Sequence, residues 1–396
     1  MARPDRAFRR LMGGTTIAAF LGLAWAAVPV ATTQDTQSKP PKAEPAVKPA
    51  KKAGAIARLA DPWPEPAALA ALREEAEQLP LFQSAVPLPF RLTADLTAIN
   101  KDRKPNSDKR FPGVLEIQSE GKPVSIPVEL GSRGHARLNV RTCEVVPLRL
   151  EFAKKDVKGT VFEDHGELKL VTHCRNDRDH DQYILKEYLA YQVFRLFTPR
   201  SFRARLVQAT YFDSAKNKET GPRYAMLIER NNDVAKRLEG RRYPLEKQVF
   251  QRLDQDSLVL MALLEYLIGN TDFSIYALHN VELVQDRFGK IYPVAYDFDY
   301  SGLVNAAYAV ADRRLQLTNV RDRLYRGPCR TAAELEPFLA RFREKKTEVL
   351  GLVDAVSDFK PAAKKEAREY LDEFFSIIEP NRVKRNLIDP CVKAGM

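Results

Sequence analysis

Ser257-Leu258-Val259-Leu260-Met261-Ala262-Leu263-Leu264-Glu265-Tyr266-Leu267-Ile268-Gly269-Asn270-Thr271-Asp272 reads as a strongly apolar helix that stops at Gly269 and gives way to a polar loop. Glycine is favoured just past a helix end because it enters the left-handed backbone region without steric cost. The loop runs through Phe273-Ser274 to His279-Asn280, and a short strand over Val281 to Val284 follows. A second strand, Ile291 to Tyr296, ends in Asp297-Phe298-Asp299-Tyr300-Ser301-Gly302. Acid and amide side chains thus gather where regular elements end.

Outward from that stretch, the pattern is helical toward the C-terminus, from about Ala332 to Val353 and from Pro361 to Ile378. Toward the N-terminus it alternates with the period of strands: Gly113 to Ile117, Val124 to Val128, Leu148 to Phe152, Leu168 to Thr172, Ala204 to Phe212 and Tyr224 to Glu229. One helical segment, Tyr183 to Phe197, is inserted among them. The order predicts an α+β protein with the two-lobed layout of an atypical protein-kinase-like fold. Its β-rich N-terminal lobe spans residues 80–240 with one inserted helix, and its mostly helical C-terminal lobe spans residues 241–396.

Ahead of the lobes, Arg3, Arg6, Arg9 and Arg10 precede an uncharged stretch from Leu11 to Val30, with Ala24-Trp25-Ala26 as a small-x-small cleavage site. This is the order of a secretory signal, residues 1–31. The alternative is an uncleaved single anchor, and either arrangement exports the domain to the periplasm, cell envelope or exterior of a bacterium. A Lys/Pro/Ala-rich disordered linker, 32–79, follows, with folded structure expected from near Leu81.

The formal charge is +11 in 396 residues, but residues 1 to 58 hold ten Lys/Arg and three Asp/Glu, so most of the excess belongs to the tail. The rest is too evenly balanced for a nucleic-acid track. Cys143, Cys174, Cys329 and Cys391 allow three disulfide connectivities, of which Cys143 with Cys174 and Cys329 with Cys391 is favoured. Neither a Cys-x-x-Cys nor a second close His supports a metal site at His173-Cys174. The five histidines show no hydrolase or metalloprotease spacing.

The chemistry of the polar loops is that of phosphoryl transfer. One carboxylate must accept a hydroxyl proton, and an Asn with a second carboxylate must hold the metal that bridges the phosphates. Asp272, Asn280 and Asp297 have that order. Taken singly, each such residue is as well explained by capping a turn or ending a strand.

Gly131-Ser132-Arg133-Gly134, Glu167-Leu168-Lys169-Leu170, Lys186-Glu187-Tyr188, Ile228-Glu229, Asn270-Thr271-Asp272, His279-Asn280 and Asp297-Phe298-Asp299 together resemble the spore coat protein H (CotH) kinase-like family. The catalytic segment is also similar to HipA-type serine kinases. The resemblance runs from about Leu92 to about Tyr308. It implies binding of ATP with Mg²⁺ or Mn²⁺, with Asp272 as catalytic base, Asn280 and Asp297 as metal ligands, and Asp299 as a second-metal or supporting group. It further implies Lys169 as the phosphate-contacting lysine, with Arg149 and Lys186 as competitors, and Glu187 as its partner. Glu229 would sit at an adenine-binding hinge. No glycine-rich loop is present, so only Arg133 or Arg137 beside turn amides could cradle phosphate, unless that segment is simply a turn with solvated arginines. The implied activity transfers the γ-phosphate to Ser or Thr of an envelope or secreted protein. The alternatives are a catalytically silent binding or assembly module of the envelope, and an AMP transferase or small-molecule kinase. No nucleic-acid partner is expected, and a membrane only through the N-terminal segment.

Overall fold

The computed structural model describes residues 54, 56–119 and 121–393. The expected export segment, 1–31, and the first part of the expected linker lie outside the described residues. The last part of that linker is folded: Pro66–Glu77 is a helix that starts on proline and buries Leu69 and Ala76. Its polar face pairs Arg73 with Glu239 at 2.5 Å and Glu75 with Lys236 at 3.1 Å. Folded structure therefore begins ahead of Leu81. The Lys-Pro bias that marks a linker stops before Pro66, and the apolar residues after it bury a face.

Seven strands form the first sheet: β1 (Leu88–Ala94), β2 (Phe111–Ser119), β3 (Lys122–Ser132), β4 (Leu148–Glu151), β5 (Glu167–Val171), β6 (Ala204–Asp213) and β7 (Lys218–Ile228). They neighbour one another in the order β1-β2-β3-β4-β5-β7-β6, antiparallel throughout. β6 then pairs in parallel with β1, Phe90 opposite Ala209, and closes a barrel. Alternation puts one face of each strand inside, so that Leu92, Leu115, Ile126, Leu150, Leu168 and Leu227 fill the interior.

The two-lobed kinase-like architecture expected from the sequence is not the one formed. The protein is α+β, but it is a closed seven-stranded mixed barrel with helices. Period-two alternation identifies a strand without naming its partner, and the parallel pair that closes the barrel joins segments far apart in the chain. No local feature encodes that pairing.

A second sheet, in the order β10-β9-β8, contains β8 (Gly240–Arg242), β9 (Val281–Asp286) and β10 (Ile291–Ala295). It shares a core with the helices His180–Phe197, Gln255–Ile268, Ala332–Glu344, Lys346–Ala355 and Pro361–Ile377. The helix expected from Ala332 to Val353 is thus two, parted at Lys345. Gln255–Ile268 is buried on nearly all sides, as its uninterrupted apolar sequence requires. Asp254 caps its start by accepting from the Ser257 N–H at 3.0 Å, and Gly269 ends it at φ 66°. A Cβ on Gly269 would lie 1.8 Å from Tyr370 Oη, so both backbone and space demand glycine there.

Cys143–Cys174 and Cys329–Cys391 are disulfides, and no cysteine is free. Two bridges fit a secreted or envelope protein. Among the described residues no helix is long and apolar enough to cross a membrane.

Candidate functional site

Barrel register brings Gly131, Arg149, Lys169 and Ile228 side by side as successive cross-strand partners. Leu168 and Leu170 point into the barrel, so Lys169 points out, toward the loops of the second sheet. There its Nζ donates to Asn231 Oδ1 at 3.0 Å and lies 5.1 Å from the centroid of the Tyr296 ring. Asn231 in turn donates to Glu282 at 2.6 Å, and Glu282 pairs with Arg242. Burial first, then the neighbouring charge of Arg133, pulls the Lys169 ammonium down to about 8.

The Asp272 loop leaves the Gln255–Ile268 helix at Gly269. Asn270 Oδ1 accepts from the Asp272 N–H at 3.0 Å, which turns the chain. Leu278 and Asn280 take left-handed backbone, at φ 48° and 53°, and double the loop back so that Ser274 bridges His279. His279 Nε2 then reaches Asp272 Oδ1 at 3.1 Å. Asn280 Nδ2 donates to the Asp272 carbonyl at 2.7 Å and to its Oδ2 at 3.2 Å. Arg326 holds the other side of the loop by donating to the carbonyls of Thr271 and Phe273. Asp272 is fixed at both oxygens yet its side chain stays 41 % exposed.

The second acidic turn follows β10. Tyr296 donates its N–H to the Asn280 carbonyl at 3.0 Å, which sets the two loops against each other. Asp297 is left-handed at φ 66°, and its N–H donates to Tyr191 Oη at 3.0 Å. Phe298 anchors the turn by packing against Tyr191 and Phe194, with ring centroids 4.7 Å away in each case. Asp299 is buried and accepts from Tyr308 Oη at 3.1 Å. Glu187, 1 % exposed on the His180–Phe197 helix, has an Oε1 with no hydrogen-bond partner.

These acids share one field. Burial, then the charge of Asp297, raises the Asp299 carboxyl to about 7, and burial with Asp299 and Asp297 raises Glu187 well above the usual carboxylate range. Arg137, buried and donating to the Thr172 carbonyl, opposes both, and Arg133 opposes the rise at Glu187. An orphaned carboxylate oxygen in a group of acids that hold protons against their neighbours is an environment that favours a cation. Among the described residues no three His, Cys, Asp or Glu side chains converge to hold a metal unaided. The oxygen donors of Asp297 and Asn280 suit Mg²⁺ or Mn²⁺ only if other ligands complete its shell, as substrate phosphates do. On that donor chemistry, the residues fit.

No family model matches this chain, and no curated protein matches it.

The structure therefore brings together Asp272, Asn280, Asp297, Asp299 and Glu187, with Arg133 and Lys169 at the border, and departs from the expected roles in three places. Lys169 bonds to Asn231 and not to Glu187, because Asn231 begins the short helix Asn231–Arg237, which follows β7 closely and packs against the Pro66–Glu77 helix and β8. Glu229 does not face a nucleotide hinge. It is fully buried, with both oxygens taken by Arg203 and Arg237 at 2.8 to 3.1 Å. The expected Gly131-to-Gly134 cradle is also reduced: Gly131 and Ser132 are the end of β3, Ser132 bonds to Asp102, and Arg137 reaches inward. Tyr191, Tyr308 and Glu265 belong to the site's support and were not singled out. The tyrosines carry no motif. Glu265 is different, as the lone charge in an apolar helix run from Ser257 to Ile268.

Proposed function

We propose that this cluster transfers the γ-phosphoryl group of ATP to a Ser or Thr hydroxyl of an exported protein, the activity implied by the CotH-like motifs. The observation that carries the reading is Asp272, oriented at both oxygens by His279 and Asn280 and still accessible, beside buried acids with an unpaired oxygen. Asp272 accepts the acceptor's hydroxyl proton as its oxygen bonds to the γ-phosphorus. The bond from that phosphorus to the β–γ bridging oxygen breaks, and ADP leaves with the electron pair. Arg133, whose side chain has no partner among the described residues, and Lys169 are the cations available to the phosphates. Asp297 and Asn280, with Asp299 behind them, would hold Mg²⁺ or Mn²⁺, which supplies neutralisation of phosphate charge. His279 and Asn280 keep the base in place throughout.

A second reading, a catalytically silent binding module, is favoured by one observation: Lys169 is committed to Asn231, and no described group of the opposite charge pairs with it as Glu187 was expected to. One assay separates the readings. The full chain with intact disulfides is incubated with ATP labelled in the α- or γ-phosphate, a divalent metal and an envelope-protein extract. Label from the γ-position in wild type, lost in Asp272→Asn with ATP binding retained and lost together with ATP binding in Asp297→Ala, supports the kinase reading. Binding without transfer supports the silent module, and label from the α-position indicates AMP transfer. Absence of ATP binding overturns the kinase and AMP-transfer readings.

A further inference from the structure

We propose that a cavity of about 660 Å³ at one end of the barrel is a binding site for a small organic anion with an apolar body, such as a medium-chain carboxylate. This site is independent of the acidic cluster and does not rest on the phosphotransfer reading.

The topology defines the place. The parallel pair β1 and β6 end on the same side, and the chain reversals before β4, after β5 and before β7 meet them there. The cavity is lined from those segments by Leu96, Ile99, Val146 and Leu148, with His173 and Tyr211 as the buried polar side chains. Its size is that of ordinary small-molecule pockets, which are mainly apolar with a few placed polar groups.

Two of those polar groups lack partners. His173 is 2 % and Tyr211 is 5 % exposed, their ring centroids are 5.6 Å apart, and neither His173 Nδ1 nor Tyr211 Oη has a hydrogen bond. Buried donors and acceptors are nearly always paired because an unpaired one forfeits its hydration. Both atoms are closed to solvent as the walls stand, so they meet a ligand's hydrogen-bonding atom only if a ring turns toward the cavity. Burial takes the His173 imidazole down to about 3, so the ring stays neutral and can accept or donate through Nδ1 according to its tautomer.

The mouth supplies the sign of the charge. Lys101, Lys216 and Lys218 are exposed there and make no side-chain hydrogen bond or ion pair within the described residues. Of the mouth's acids, Glu219 is paired with Arg91 at 3.1 Å, whereas Glu144 and Asp213 accept from the neutral Asn176 and Thr97 at 2.8 and 2.6 Å and keep their charge. Three lysines against two uncompensated carboxylates, Glu144 and Asp213, leave a positive excess over an apolar cavity, which suits an anionic head on an apolar body. The walls are also fixed in advance. The Cys143–Cys174 disulfide joins the segments that carry Val146 and His173, and the N–H groups of Glu144 and Val145 donate to the Cys174 carbonyl at 2.8 and 3.1 Å.

The test uses the full, oxidised chain with octanoate and its neutral counterpart 1-octanol, read by calorimetry. Wild type is expected to bind one octanoate. The exposed-surface variant Lys101→Gln/Lys216→Gln/Lys218→Gln is expected to lose at least tenfold in octanoate affinity and to keep its octanol affinity. Leu96→Trp, which fills the cavity, is expected to lose both ligands with unchanged melting. No octanoate binding by wild type, equal affinity in the lysine variant, or full binding by natively folded Leu96→Trp each overturns the proposal. The lysine variant changes no buried group, so it decides the matter even if Leu96→Trp fails to fold. Sedimentation with phosphatidylglycerol vesicles that octanoate does not compete away would assign the mouth to a membrane surface and overturn the small-molecule site.

Discussion

His279 Nε2 stands 3.1 Å from Asp272 Oδ1, and both side chains are more than a third exposed. An exposed pair of this kind adds little stability, so its value lies in holding the carboxylate's orientation. On the phosphotransfer reading, Asp272→Asn slows transfer by roughly 10²- to 10⁴-fold, the usual worth of a general base. His279→Ala slows it less, and the double variant is no slower than Asp272→Asn alone, because two groups that act as one unit are not additive. Single-turnover rates on the three variants check this. A double variant slower by the product of the two single effects would contradict it.

Glu265 gives a pH dependence with a definite sign. Burial raises its carboxyl from the ordinary 4.5 to about 8, so the folded chain holds this proton more tightly than the unfolded chain does. Its contribution to stability is therefore complete below about pH 4.5 and is lost as the pH rises through 8. Glu265→Gln should remove that slope, which is roughly 1.4 kcal/mol for each unit separating the two pKa values. Urea unfolding of both proteins between pH 4.5 and 9 reads it directly. Parallel profiles would show that Glu265 does not carry the proton.

Glu229 is predicted to matter for folding and not for nucleotide. Its loss strands the buried guanidinium groups of Arg203 and Arg237, and breaking a buried pair from one side costs about 3–5 kcal/mol. Glu229→Ala should show that loss in denaturant unfolding while any ATP affinity of the folded fraction is preserved. Weakened ATP binding at unchanged stability would restore the hinge assignment.

The bridges close loops of 31 and 62 residues, which by chain entropy stabilises the fold by about 4 kcal/mol each. Non-reducing peptide mapping should recover Cys143 with Cys174 and Cys329 with Cys391 and no alkylatable thiol. Cys329→Ser/Cys391→Ser should lower the melting temperature by several degrees. Any other pairing in the native protein would refute the assignment.

What could be read from the chain divides along a physical line. Residues whose task is set within a few positions were legible: Gly269 ends its helix, Lys169 faces away from Leu168 and Leu170, and Phe298 sits between two acids. Tasks set by a distant partner were not. Ala204 to Phe212 reads as a strand whereas Leu88 to Ala94 was not picked out as one, and nothing in either names the other as a parallel neighbour. Glu229 looked available because its two arginines lie in other segments, one before β6 and one at the end of a helix. Lys169 is the intermediate case, since its direction followed from period two whereas its bond to Asn231 depends on how a following helix docks.

Closure of the barrel also limits how a polypeptide acceptor could be recognised. At its doubly paired positions the barrel offers no row of unpaired N–H and C=O groups for strand addition, one of the commonest ways of gripping an extended peptide; Lys122–Val128 of β3, which pairs with β2 alone, and the outer strands β8 and β10 of the second sheet are exceptions. Along those doubly paired positions an acceptor must instead be recognised through side chains of the surrounding loops. Such recognition tolerates varied backbones and selects on charge and shape near the phosphorylated residue, so any substrates should share a local side-chain pattern and need not share a β-strand conformation.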